Sequence, residues 1–262
     1  MQFSKIVVSR IVHLTVEERN DGNIVITADQ NVMPYVELSV KNGVFKATVS
    51  DDVNIIGNAQ NYVDISIPYN GAINTIAASG ACKVNVVPLL KQEKLTLSVS
   101  GASLLTLHVQ ADACTADVYG ASKLDIDGKC RKLKSDVSGA SKATFDMECT
   151  DAALELSGAS SVDAELKAVK TVVDVSGCSS AVLAGSAESL EAETSGSSSV
   201  NARKFIAQVC TVSASGASQA SVNCTRSLSA SASGASAITY AANEGMSLAS
   251  ARSSGMSTIK KR

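Results

Sequence analysis

Five acidic residues fall at one constant interval: Asp117, Asp136, Glu155, Asp174 and Glu193, each 19 residues after the last. Carboxylates brought together by such a spacing have three uses. They bind cations such as Ca²⁺ through oxygen ligands, serve as acid and base on a glycosidic bond, or form an exposed face that docks a charged partner. Stacked on adjacent β-rungs at ~4.8 Å, neighbours repel by roughly 0.9 kcal/mol in water before screening. Something must offset that cost: nearby lysines such as Lys134, a bound cation, or simple exposure to solvent. A second acidic group, Asp125, Asp127, Asp146, Asp163 and Glu165, lies in another phase with Lys123 and Lys142 close by.

The interval belongs to a repeat. A Ser-Gly-Ala-Ser signal is centred on Gly80, Gly101, Gly120, Gly139, Gly158, Gly177, Gly196, Gly216, Gly234 and Gly255, at spacings of 21, 19, 19, 19, 19, 19, 20, 18 and 21 residues. Aligned on glycine, positions +4 and +6 are apolar, as in Leu105 and Leu107 or Leu124 and Ile126, while +5 is polar in every copy but one, Val182. Positions −6, −4 and −2 repeat the alternation before the glycine. Period two with one wet face is a strand pattern, so each repeat holds two short strands. The period is too short for α-solenoid helix pairs, and the order of a leucine-rich repeat is missing. What remains is an all-β parallel β-helix of about ten 19-residue rungs.

The glycines have a mechanical role in that fold, since a residue without Cβ takes positive φ and corners sharply. The +1 residue, Ala in seven of ten copies, fits a crowded inner corner, and the flanking serines can bond the next rung or cap turn amides. Periodic copies with no His and acid partners do not make a catalytic serine. The three prolines, Pro34, Pro68 and Pro88, all precede residue 89, as expected if a fully paired ladder has no place for them.

Residues 1–75 differ in composition and read as an N-terminal β region continuous with the solenoid of residues 76–262. Val12–Val16, the turn Asn20-Asp21-Gly22-Asn23 and Ile24–Thr27 form one candidate hairpin. Residues 35–40 and 44–49 form a second around Asn42-Gly43, the pair a type I′ turn favours, and residues 62–68 make a further strand ended by Pro68. This region would cap the exposed strand edges of a solenoid end. His13 reads as structural, because nothing nearby completes a site.

A net charge of −2 with 18% charged residues offers no basic surface for nucleic acid, and no apolar run approaches the length of a membrane span. The start of the chain does not read as an export signal, which leaves a cytosolic protein or one whose signal has been removed. The seven cysteines are scattered in phase, apart from Cys114 with Cys210 and Cys130 with Cys149. Only Cys130 and Cys149 stand on adjacent repeats, where a disulfide or shared metal competes with plain packing. No zinc-type spacing is present. Nine aromatics are few for a sugar site built on stacking.

Ile65-Ser66-Ile67-Pro68, followed by Ile76-Ala77-Ala78-Ser79-Gly80-Ala81 and the Ser-Gly-Ala-Ser run, resembles the family of bacterial putative auto-transporter adhesins with a head GIN domain. The likeness spans nearly the whole chain, with departures at Tyr119, Cys178, Ser197 and Met256. It implies a right-handed parallel β-helix shaped like pectin lyase-like proteins without their catalytic residues. It also implies a non-enzymatic surface or envelope protein that adheres to host glycans or surface proteins, with no catalytic or metal residues to carry over. On this reading Asp117, Asp136, Glu155, Asp174 and Glu193 form the ligand or cation face, with Ca²⁺ as the one candidate cofactor. Two rival readings are a polysaccharide-active enzyme, if the acids converge in a cleft, and a cytosolic scaffold that assembles with copies of itself.

Overall fold

The computed structural model describes residues 3–50, 63–242 and 245–262, and these are mostly extended, with a single 3₁₀ turn at Met33–Tyr35 and no α-helix. They form the parallel β-solenoid expected from the repeat, and all ten motif glycines have φ between 70° and 89°. The chain divides into two compact units, residues 1–128 and 129–262.

In the first unit the strands are β1 (Lys5–Arg10), β2 (Val12–Glu17), β3 (Val25–Thr27), β4 (Val36–Lys41), β5 (Val44–Val49), β6 (Val63–Pro68), β7 (Thr75–Gly80), β8 (Lys83–Val99) and β9 (Leu104–Val118). β1 runs parallel between β5 and β7, and β2 parallel between β6 and β8. The first rung in sequence is therefore inside the stack. It follows the repeat pattern without the glycine: Arg10 pairs with Gly80 and takes φ of 68° in the glycine's place. A Cβ on Gly80 would lie 2.7 Å from the Arg10 nitrogen, whereas the Arg10 side chain turns toward the carbonyls of Val49 and Ser50.

The cap forms as antiparallel strands on the parallel ladder. β4 pairs with β5 through the Asn42-Gly43 turn, whose φ values of 51° and 74° suit type I′, and β3 pairs antiparallel with β6. The expected hairpin between residues 12–16 and 24–27 does not form, because β6 and β8 already occupy both edges of β2. Tyr62 lies outside the described residues, and the strand expected there covers Val63–Pro68.

β10 (Lys123–Val137) contains the boundary between the units. The second unit holds β11 (Lys142–Leu156), β12 (Ser161–Val175), β13 (Ser180–Thr194), β14 (Ser199–Ala214), β15 (Gln219–Ala232), β16 (Ala237–Ala242), β17 (Ser247–Ser253) and β18 (Thr258–Lys261). β11 through β15 each run unbroken from one corner toward the next, so the two expected short strands per repeat are two arms of one strand. Offsets of 19 residues persist from β11 to β13. The spacings that depart from 19 appear as register shifts, as where Val182 and Ala184 face Asn201 and Lys204. In the first unit the 21-residue repeat does the same between Val86 and Leu90, and its extra residues include Pro88, buried inside β8. A ladder does admit a proline, then, where the register is interrupted and no partner requires its N–H.

The core follows the predicted columns: Leu154, Leu156, Val162 and Leu166 are buried, and their sequence neighbours point outward. The corner differs from the expectation. The +1 residues are exposed, Ala159 and Cys178 among them, and Met256 is 83% exposed. The inward corner residue is the +2 serine, buried in Ser103, Ser122, Ser141, Ser160, Ser179, Ser198, Ser218 and Ser236, with Cys82 in its place in the earliest copy. The left-handed turn at glycine swings +1 to solvent and brings +2 inside, where its hydroxyl must be satisfied. Ser160 Oγ donates to the Val137 carbonyl at 2.9 Å and Ser198 Oγ to Val175 at 2.8 Å. Cys82 Sγ donates to the Ser79 carbonyl at 2.9 Å.

Backbone contact fixes the glycines as well as φ does. The Ala159 N–H donates to Gly139 O at 2.7 Å, and a Cβ on Gly158 would stand 2.8 Å from the same oxygen. Gly158→Ala should cost on the order of 2–3 kcal/mol in urea unfolding, combining left-handed strain with the clash. Gly71→Ala, at φ of 78° with nothing within 4 Å, should cost only about 1 kcal/mol; equal losses would contradict the contact argument. Thr171 Oγ1 is buried without a hydrogen-bond partner. Thr171→Val should therefore raise stability by about 1 kcal/mol, and a loss would show that the hydroxyl is satisfied.

Candidate functional site

The −3 residues lie between two inward columns, at −4 and −2, so the pleat points them to solvent. In the second unit Glu155 pairs in register with Asp174, and Asp174 with Glu193, each exposed. Asp136 occupies the same phase and is exposed too. In the first unit Asp117 follows Ser98 in the column, and it also faces outward. In the second unit Glu155, Asp174 and Glu193 thus line one strand face and do not converge in a cleft.

Lys134 Nζ reaches Glu155 Oε1 at 3.6 Å, the compensation expected of it. Asp174 and Glu193 have no ion pair among the described residues, so the column keeps net negative charge. The second acidic group is more fully compensated. Lys123 bonds Asp125 at 2.8 Å and His108 Nδ1 approaches Asp127 at 2.6 Å in the first unit. In the second, Lys142 bonds Asp163 at 2.6 Å. Lys129 also pairs with Glu148 at 2.5 Å, and that hydrogen bond and charge hold the Glu148 carboxyl below its usual range. Every such pair is solvent-exposed and screened, so each contributes little to stability. The pairs offset Asp125 and Asp163, while Asp146 and Glu165, opposite each other in register and exposed, have no ion pair among the described residues.

Among the described residues no three His, Cys, Asp or Glu side chains gather as a metal site would require. All seven cysteines are free thiols. Burial pushes Cys82 up to about 11, Cys130 to about 12 and Cys149 to about 11, the range of inert packing thiols. His13 lies 3.3 Å from Asp64, opposite it in register. Burial lowers its pKa against the pull of that carboxylate, with Lys83 adding to the drop, so the imidazole is neutral at pH 7.

Two recesses, both in the first unit, escape the repeat-based reading. One of about 440 Å³ is lined by Ser9, Arg10, Glu37, Lys46, Thr48 and Ser79 among others. A smaller one of about 200 Å³ is bordered by Phe3, Arg19, Ile24, Ile67 and Tyr69. Arg19 is consumed there by Glu17 at 3.0 Å, Asp21 at 3.3 Å and the Ser66 hydroxyl at 2.9 Å. The signal for the larger recess was present: Ser9-Arg10 stands where later rungs have Ser-Gly, preceded by the alternation of Ile6 and Val8.

No helix among the described residues is long and apolar enough to cross a membrane. The crystal structure of a putative adhesin from Parabacteroides merdae ATCC 43184 aligns with 100% of this chain and 92% of its own, at 18% identity and a TM-score of 0.53. That of a putative lipid binding protein from Parabacteroides distasonis ATCC 8503 aligns with 100% of this chain and 93% of its own, at 16% identity and a TM-score of 0.52. At those identities the likeness is one of fold. No curated protein matches the chain. The sequence itself matches the family described as "Putative auto-transporter adhesin, head GIN domain" over residues 2–151 and again over 142–243. Two overlapping matches that together take in most of the repeat place this chain in the head GIN domain family of auto-transporter adhesins.

Proposed function

We propose that the protein is a non-enzymatic adhesin of the cell surface or envelope, and that it engages host or matrix ligands through the outward polar face of its β-solenoid. The observation that carries this reading is the in-register, exposed column Glu155, Asp174 and Glu193, in which only Glu155 has a lysine partner among the described residues. A catalytic pair of carboxylates needs a cleft that holds the sugar between them. These lie side by side on one face, with no aromatic platform at their level, which favours adhesion over polysaccharide cleavage. Asp136 and Asp117 extend the same phase.

Docking on such a face is electrostatic, repeated from rung to rung, and strengthened when a ligand bears several copies of the recognised group. Partners that bring cationic groups, or anionic glycans bridged by Ca²⁺, suit it. The chain should bind immobilised mucin or glycans in a surface screen. The triple variant Glu155→Gln, Asp174→Asn, Glu193→Gln should lose roughly tenfold or more in apparent affinity while melting no lower than the parent. Absence of binding to every surface ligand, or full binding by the variant, would contradict this reading. If Ca²⁺ bridges the column, millimolar Ca²⁺ should raise the melting temperature above that in chelator, and identical melting would eliminate the bridge.

A further inference from the structure

The larger recess of the first unit lies where the antiparallel cap meets the parallel ladder. Register sets a row of polar residues across four strands: Glu37 of β4 is opposite Thr48 of β5, and Ser9 of β1 is opposite Ser79 of β7. Ser9 Oγ donates to Thr48 Oγ1 at 2.7 Å, which joins the two halves of the row, and Thr48 Oγ1 donates on to the Val49 carbonyl at 3.3 Å. With its proton committed to Thr48, Ser9 Oγ offers only lone pairs to a ligand. Lys46 stands two residues before Thr48 on β5, on the same side of the strand, and Arg10 follows Ser9. All six border a recess of about 440 Å³, within the range of roughly 300–1,000 Å³ usual for small-molecule pockets.

Lys46 and Glu37 are exposed and have no ion pair among the described residues, so the recess carries one cation and one carboxylate that the fold does not use against each other. Arg10 adds a second cation at a conformational cost. It holds φ of 68° where the ten motif corners have glycine, a region that an L-residue with a Cβ resists. Glycine would relieve that strain. The chain keeps instead a guanidinium whose Nη1 donates to the Val49 and Ser50 carbonyls at the wall of the recess. Strained residues of this kind gather at ligand sites.

We propose that this recess binds one carboxylated monosaccharide residue, its carboxylate toward Lys46 and Arg10 and its ring hydroxyls donating to Glu37 and Ser9 Oγ. The site is separate from the acid column and does not rest on the adhesive reading. Its lining selects the class of ligand. Ammonium and guanidinium groups together attract an anion and form charge-assisted hydrogen bonds with a carboxylate. Phosphate or sulfate alone would leave the Glu37 and Ser9 acceptors without donors, and Glu37 would repel a dianion. A neutral sugar would meet those acceptors but leave Lys46 without a counter-ion. Among the described residues no aromatic side chain lines the recess, so hydrogen bonds and charge supply the recognition in place of stacking. A hexuronate and a sialate share this chemistry.

The test is a ligand-observed NMR titration of the intact protein with glucuronate, N-acetylneuraminate, glucose and acetate. The expected result is millimolar binding of at least one sugar acid, roughly tenfold tighter than that of glucose or acetate. The tighter acid identifies the source. Lys46→Gln, at an exposed side chain, should weaken binding of that acid roughly tenfold and leave the melting temperature unchanged. Arg10→Gly, which installs the residue of the later corners, should fold and weaken binding to a similar degree. The triple variant Glu155→Gln, Asp174→Asn, Glu193→Gln should bind the acid as the parent does, which separates failure of the recess from failure of the column. No binding of either acid, binding of glucose or acetate as tight as that of the acids, or full affinity in Lys46→Gln would overturn the proposal. So would loss of acid binding in the triple variant.

Discussion

The rest of the structure depends on the close approach of successive corner backbones. Within each unit the N–H after a corner glycine donates to the carbonyl of the corner one rung before it, as Ala159 does to Gly139 at 2.7 Å and Cys178 to Gly158 at 2.8 Å. No Cβ fits between those backbones, and an L-residue with a side chain resists the φ they adopt. Because the corners stack atom on atom, the arms between them are held in register. Register then decides which residues share a column. The inward serine ladder, the apolar core and the exposed acids all follow from that one contact, repeated along each unit.

The acid column is a by-product of this geometry that evolution had freedom to write upon. A parallel ladder places equivalent residues next to one another, so identical charges at a repeat position must meet. At +5 lysines meet the acids, as Lys142 with Asp163 shows, whereas at −3 only Lys134 with Glu155 does so among the described residues. Where the register shifts, the chain uses other means: Pro88 sits in one such place, and in another the Cys224 thiol donates to the Ser227 and Gln208 carbonyls.

Much of this was legible in the sequence, because a solenoid writes its fold as a period. The ten corners, the alternation on each arm, the Asn42-Gly43 turn and the all-β class could be read from residue types alone. The failures have physical reasons. Ala at +1 suits a tight inner corner and an outer one equally well, and only the handedness of the glycine turn decides that +2 serine goes inside. The rung of β1 and β2 was hidden because Arg10 holds the glycine position, at φ of 68° with its side chain turned to the Val49 and Ser50 carbonyls. The hairpin expected of residues 12–27 was a local reading, overruled by long-range parallel pairing of β2 with β6 and β8. As for the site, the phase of Asp117, Asp136, Glu155, Asp174 and Glu193 was visible, whereas the exact cation partners of their neighbours depended on side-chain reach.

The central claim is that ligand contact falls on the column of Glu155, Asp174 and Glu193 and not on the corners or on the lysine-paired acids. Carbodiimide labelling of exposed carboxylates, quantified by mass spectrometry with and without bound mucin glycans, tests it most directly. The account predicts that Glu155, Asp174 and Glu193 lose labelling on binding while Asp125, Asp127 and Asp163 do not. Unchanged labelling of the three column acids in a saturated complex, with protection appearing elsewhere, would contradict it.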